Sequence, residues 1–182
     1  VDAYVSIILE QDLGQAPFRI VSLEQKVSAE ISFPVNGTEQ SVKIYGVIDR
    51  VDVKDGITKI IDYKTGSDKL AFKDIPSLFD TNGKHINKAL IQTLLYTHVY
   101  EKFANKTFVE PNLYIVKTMN QEGVLFKAGR QNLSGEFLEQ LKPDFLAELR
   151  KKLTELFEAP YFLASSVPEN YQYSIYKTLF GK

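Results

Sequence analysis

The segment that most restricts the fold is residues 41–65, which read SVKIYGVIDRV, DVKDG and ITKIIDYKT. Two runs rich in β-branched and aromatic residues meet at Asp55-Gly56. Asp-Gly is favoured in a two-residue hairpin turn, where both central residues take positive φ. Turn length fixes register. Lys54 then faces Ile57, and stepping back along both strands sets Asp49 against Asp62. Side chains alternate along a strand, so Lys64 shares the face of Asp62, with Val47 across from it. Directly opposed residues hold their Cβ atoms roughly 4.5–5.5 Å apart.

Two facing carboxylates repel. Ile60, Ile61 and Tyr63 make the surroundings apolar, and burying unpaired carboxylates there is costly. A divalent cation resolves the conflict. Mg²⁺ prefers oxygen ligands and commonly takes one or two carboxylates plus waters and a substrate phosphate. Its charge activates a water and stabilises negative charge gathering on phosphorus. Lys64 would orient that water or neutralise the phosphate. The competing reading is a surface hairpin with an ion pair from Asp62 or Asp49 to Lys64.

Around this hairpin the pattern alternates between helix and strand. Residues 1–13 place Val1, Val5, Ile8 and Leu9 at helical spacing. They open mid-pattern without a capping residue, which reads as a piece cut from a longer protein. Residues 18–33 read as a strand. Residues 66–86 are polar, with Gly, Pro and Asn, and read as a long loop. Residues 87–104 predict a helix with Leu90, Leu94, Leu95, Val99 and Phe103 on one side. Residues 112–118 and 123–128 predict two strands around Asn120-Gln121-Glu122. Ser134 is placed to start a helix that Pro143 breaks or restarts, and 144–158 is amphipathic. The tail from Pro160 is irregular and rich in tyrosine. This order predicts one α/β domain over 1–182, with a mixed sheet between helices.

The chain has 182 residues, enough to bury a substantial core. No apolar run approaches the ~20 residues of a membrane span, so no membrane partner is expected. No secretory signal is visible, which favours the cytoplasm. The absence of cysteine excludes disulfides and thiolate metal sites. A net charge of -1 argues against tight non-specific nucleic-acid binding by this domain alone. It leaves room for a larger assembly to supply part of the grip.

The segment GVIDRVDVKDGITKIIDYKTG, residues 46–66, resembles the core of RecB/AddB-like nucleases in the PD-(D/E)XK superfamily. Those proteins show G-x-I-D-R-x-D, a turn, and a strand ending D-Y-K-T/S-G. They also carry Q-x-x-x-Y on the next helix, matched by Gln92 and Tyr96 on one helical face. The resemblance covers roughly residues 18–104 by motif, and the rest by element order.

The resemblance implies a restriction-endonuclease-like fold, with a mixed central β-sheet flanked by helices. It implies an Mg²⁺- or Mn²⁺-dependent deoxyribonuclease, an exonuclease acting in repair or recombination beside a helicase. The chain would be the C-terminal part of such a helicase–nuclease protein. Asp49 and Asp62 match the metal-binding aspartates and Lys64 the catalytic lysine. The backbone carbonyl of Tyr63 matches a further metal ligand. Gln92 and Tyr96 would contact nucleic acid or orient catalytic groups. The alternative is a non-catalytic structural or DNA-binding module of the same fold.

Three departures from the family pattern stand out. The subgroup's early-helix histidine ligand has no counterpart, since His85 and His98 follow the hairpin; the expectation is that it lies upstream of Val1. Glu24 falls where many relatives carry a glutamate on the preceding strand, and either approaches the site or is an ordinary exposed strand residue. The terminal cysteines that hold an iron–sulfur cluster in many AddB-like members fall at Tyr171, Ser174 and Phe180, so no cluster is expected.

Other charged residues have plainer readings. Arg50 and Asp52 share the face opposite Asp49, where they either pair with each other across the strand surface or support the fold, the second being favoured. His98 lies off the Gln92/Tyr96 face and reads as structural. Lys69, Lys73, Lys84 and His85 either track a phosphate backbone or sit on a solvated loop. Arg150, Lys151 and Lys152 read as the solvated side of the late helix.

Overall fold

A computed structural model describes residues 2–80 and 86–161. Its elements run in the order α1 Asp2–Gln15, β1 Arg19–Val35, β2 Thr38–Lys54, β3 Ile57–Lys64, β4 Ala71–Phe72 and α2 Ile75–Leu78. There follow α3 Lys88–Ala104, β5 Val109–Ile115, α4 Met119–Glu122, β6 Lys127–Ala128, β7 Gln131–Asn132 and α5 Gly135–Glu158.

Two turns with positive φ build the first half. Asp55 and Gly56 have φ of 51° and 80°, and Asn36 and Gly37 have 48° and 77°, as the right-handed twist of paired strands demands. The second turn carries β1 and β2 past the expected boundaries and joins them over 17 residues each. The main sheet has the order β1-β2-β3-β5, antiparallel through β3 and parallel from β3 to β5. This is the expected mixed sheet. The crossover from β3 to β5 carries α3, which lies on one face against Val27, Ile48, Val51, Ile60 and Val109. On the other face α1 and α4 cover Ile61 and Tyr114 through Ile7, Ile8 and Met119. A third cluster joins Leu90 and Leu94 of α3 to Leu138 and Phe145 of α5 and to Ile75 and Leu78 of α2.

Several expectations shift. The face of α1 turned to the sheet holds Ile7 and Ile8, while Val5 and Leu9 are exposed; apolar residues stand on both sides of this helix, so periodicity alone does not choose. The 66–86 segment is no bare loop. Leu70, Ile75 and Leu78 are buried, and Asp74 and Ser77 cap α2 reciprocally. The average polarity of the segment hides these anchors.

The last strand of the main sheet begins at Val109, three residues before the expected 112. It includes Pro111, which has no N–H for a ladder. Leu113 N–H points away from β3 to Val124 O at 2.9 Å, so the Pro111 nitrogen faces that same outer edge, where no ladder bond is lost. Asn120, Gln121 and Glu122 sit in the helical turn α4 rather than a hairpin turn, and the expected strand 123–128 is reduced to a bridge at Leu125 and the short β6.

Pro143 lies inside α5 without ending it. The buried side chains Leu138 and Phe145 on either side anchor both turns, and tertiary packing of this kind carries most helical stability. Phe103, expected on the apolar side of α3, is 51% exposed. No helix of the described residues is long and apolar enough to cross a membrane.

Candidate active site

The turn gives the expected register, but the ladder stops one step short of the two carboxylates. β2 and β3 pair from Lys54/Ile57 to Arg50/Ile61 and no further. In place of a ladder bond, Tyr63 N–H donates to Asp49 Oδ2 at 2.9 Å. The carboxylate substitutes for a backbone acceptor, so the strands stay joined while their main chains part. Beyond this point Lys64 pairs with Ile115 of β5, not with Val47 of β2. The pleat also breaks here. Ile44 and Ile48 pack in the α3-facing cluster, yet so does Val51, an odd number of residues away. Strict alternation from the turn back to Val47 therefore fails.

Asp62 is 6% exposed, which removes the surface-hairpin reading. Its Oδ2 lies 2.7 Å from Lys64 Nζ, so the ion pair of the competing reading exists, but in a buried setting. The same oxygen receives no well-directed hydrogen bond. Burial pushes the Asp62 carboxyl above the usual range; Lys64 opposes the shift, and the charges of Asp49 and Asp68 add to it.

Lys64 is held from the other side. Its Nζ donates to Gln92 Oε1 at 3.3 Å, and Gln92 Nε2 donates to the Tyr96 hydroxyl at 3.3 Å. Tyr96 lies against Gly46, where an added Cβ would come within 2.6 Å of the ring. Thus the motif glycine on β2, the lysine on β3 and the glutamine and tyrosine on α3 are one connected chain of contacts.

Glu24 is level with Asp49 on β1, since its neighbours Leu23 and Gln25 pair with Arg50 and Ile48. Its backbone is left-handed, with φ of 49°. It takes no part in the ladder and its side chain is exposed. His98 is half-buried on α3, its pKa lowered by burial and by nearby Lys102, Arg150 and Lys142. Lys69 and Lys73 are exposed, with Lys73 3.7 Å from Asp74. Arg150 donates to Ser32 O of β1, while Lys151 and Lys152 pair with Glu148 and Glu155 along α5. Lys84, His85, Tyr171, Ser174 and Phe180 lie outside the described residues.

Two features went unnoticed in the sequence. Asp68, just past the D-Y-K-T-G run, adds a third negative charge felt by Asp62; its signal was the acidic residue two positions after Gly66. Asp12 and Tyr114 join Arg50 and Asp52 in a buried cluster behind the sheet. No local pattern announces that cluster, because its members come from three separate elements.

Among the described residues no three His, Cys, Asp or Glu side chains converge as a metal cluster. The oxygen donors that the hairpin brings near one another are the carboxylates of Asp49 and Asp62. That set suits a hard cation, which completes its shell with water and substrate phosphate. The buried Oδ2 of Asp62 is ion-paired with Lys64 but accepts no well-directed hydrogen bond, and an oxygen of this kind suits such an ion.

The mixed sheet, its flanking helices and this hairpin define a nuclease-type α/β domain. The chain belongs to the PD-(D/E)XK nuclease superfamily, whose family model matches residues 1–169. No curated protein matches the chain, and no solved structure does.

Proposed function

We propose that the protein is a divalent-metal-dependent deoxyribonuclease of the RecB/AddB-like type. It acts as an exonuclease in DNA repair or recombination, beside a helicase or the rest of a helicase–nuclease protein, in a cytoplasmic setting. The observation that carries this reading is the buried Asp62 carboxylate, with one oxygen lacking a directed donor, set next to Asp49 and Lys64.

In this reading Asp49, Asp62 and the Tyr63 carbonyl hold Mg²⁺ or Mn²⁺. The ion, when bound, supplies an activated water and charge stabilisation at phosphorus. With a metal bound, Asp62 would serve as its ligand, and the Lys64 ammonium would be free to donate to a water or a phosphate oxygen. Gln92 keeps Lys64 pointed into the site meanwhile, and Tyr96 keeps Gln92 in place.

DNA cleavage assays on single and double strands, with and without Mn²⁺, test this. Metal-dependent cleavage abolished by Asp62→Ala is the expected outcome. Cleavage indifferent to that substitution would overturn it. The second reading is a non-catalytic module of the same fold. One observation favours it: among the described residues no three His, Cys, Asp or Glu side chains converge on the site. A calorimetric Mn²⁺ titration separates the two, since only the nuclease reading requires binding that Asp62→Asn removes.

A further inference from the structure

Behind the candidate site, on the α1 face of the sheet, lies a polar cluster that the proposed chemistry leaves unused. Arg50 sits at its centre, 3% exposed. Its Nε donates to both oxygens of Asp52, at 2.8 and 3.0 Å. Its Nη1 donates to Asp12 Oδ2 of α1 at 2.6 Å and to the Tyr63 hydroxyl at 3.1 Å. The Tyr114 hydroxyl of β5 donates to Asp12 Oδ1 at 3.2 Å. The guanidinium also lies 5.0 Å from the centre of the Phe18 ring. Burial alone disfavours the cation, but the bonds to Asp52, Asp12 and Tyr63 outweigh it and hold Arg50 charged.

Tyr63 belongs to both places. Its main chain is in the candidate site, with the N–H on Asp49 and the residue set between Asp62 and Lys64. Its phenol reaches through to Arg50. Residues 62–64 have no ladder partner on β2, because that ladder ends at Arg50/Ile61. On the β2 side, what restrains their rotation about the strand axis is the Asp49 contact in front and the Arg50 contact behind.

We propose that Arg50 is a positioning residue for the candidate site. By holding the Tyr63 hydroxyl it fixes the rotation of the 62–64 segment, and with it the Tyr63 carbonyl, Asp62 and Lys64. Through Asp12 it makes the seating of α1 part of the same adjustment. This rests on the metal-dependent nuclease reading. Support of the fold, the plainer role, is retained by Arg50 but is separable from positioning.

The test is Mn²⁺ affinity, read by the paramagnetic resonance of free Mn²⁺ well below the melting temperature. Tyr63→Phe removes the hydroxyl and keeps the ring; Asp12→Asn is the second variant, should Tyr63→Phe not fold. Partners that orient metal ligands typically contribute 10- to 100-fold in affinity. The expected result is Mn²⁺ binding about 10-fold weaker, while Leu138→Ala, a destabilising change in the distant α5 core, leaves affinity unchanged. Wild-type affinity in a folded Tyr63→Phe or Asp12→Asn protein overturns the proposal. So does equal weakening by Leu138→Ala, which marks general loosening. Failure of the wild-type protein to bind Mn²⁺ is a different result: it removes the nuclease reading, and the proposal with it.

Discussion

Gly46 and Tyr96 are in such close contact that no side chain larger than hydrogen fits at position 46 without moving the ring; a Cβ would stand 2.6 Å from Tyr96 Cε1. Gly46→Ala therefore displaces Tyr96, and through Gln92 it loosens Lys64. Overpacking of this kind costs about 1–3 kcal/mol. We expect that loss in chemical denaturation, together with reduced nuclease activity. In a Tyr96→Ala background the added methyl has room, so the stability cost of Gly46→Ala should largely vanish in a double-mutant cycle. An equal cost in both backgrounds would show that the contact is not its cause.

The raised Asp62 carboxyl makes stability depend on pH with a definite sign. A carboxyl whose folded pKa lies above its unfolded value binds protons more readily in the native state. Its contribution is complete below the unfolded pKa and is lost as pH rises through the folded one. In metal-free protein, the stability of wild type relative to Asp62→Asn should fall as pH climbs from about 4 towards neutrality. Mn²⁺ should shift the comparison the other way, by binding the ionised form of wild type alone. Melting curves of both proteins across that range check the sign; a difference that grows with pH in the absence of metal would contradict it.

Pro143 leaves the carbonyl four residues back, that of Glu139, without its helical donor. Proline in a helix interior costs about 3 kcal/mol or more in a peptide setting. Here the site is exposed and the helix is anchored on both sides. Pro143→Ala should raise stability by about 1–3 kcal/mol and leave Mn²⁺ affinity and cleavage rates as they are. Denaturant titration beside an activity assay decides it; no gain in midpoint would mean that α5 has adapted fully to the proline.

Phe108, the residue before β5, lies in the left-handed region with φ of 59° and is 61% exposed. For a bulky residue that conformation costs about 1–2 kcal/mol, and glycine adopts it freely. Phe108→Gly should stabilise the protein by about 1 kcal/mol, less whatever the ring contributes to the wall of the shallow pocket that it lines with Ile57 and Leu138. A lower thermal midpoint would show that this ring contributes more by contact than it loses by strain.

What was legible in the sequence follows the reach of each interaction. The Asp55-Gly56 turn is local chemistry, and it carried the register correctly from Lys54/Ile57 up to Arg50/Ile61. Asn36-Gly37 offered an equally clear turn signal that the strand boundaries had missed. The proximity of Asp49, Asp62 and Lys64 could be counted out, and the Gln92/Tyr96 pair fell on the expected helix face beside Lys64. The break in pleat at Asp49 could not be, because it depends on where α3 presses against Gly46 and Ile48. Nor could the Arg50 cluster, in which Asp12 stands 38 residues before Arg50 and 102 residues before Tyr114. Of the α1 residues read at helical spacing, Ile8 packs against the sheet but Val5 and Leu9 do not, because Val5, Leu9 and Leu13 mark one stripe and Ile7 and Ile8 another. Solvent keeps the first stripe and the sheet takes the second.

The turn at Asp55-Gly56 has one more consequence. Asp49 reaches Tyr63 only because the connection between their strands is two residues long. A single residue inserted there would leave the core strands with two options. They could hold their pairing and extrude a bulge, or slip by one and send Asp62 and Lys64 to the α1 side of the sheet. The candidate site therefore depends on the length of this turn as well as on residues that accept positive φ at 55 and 56.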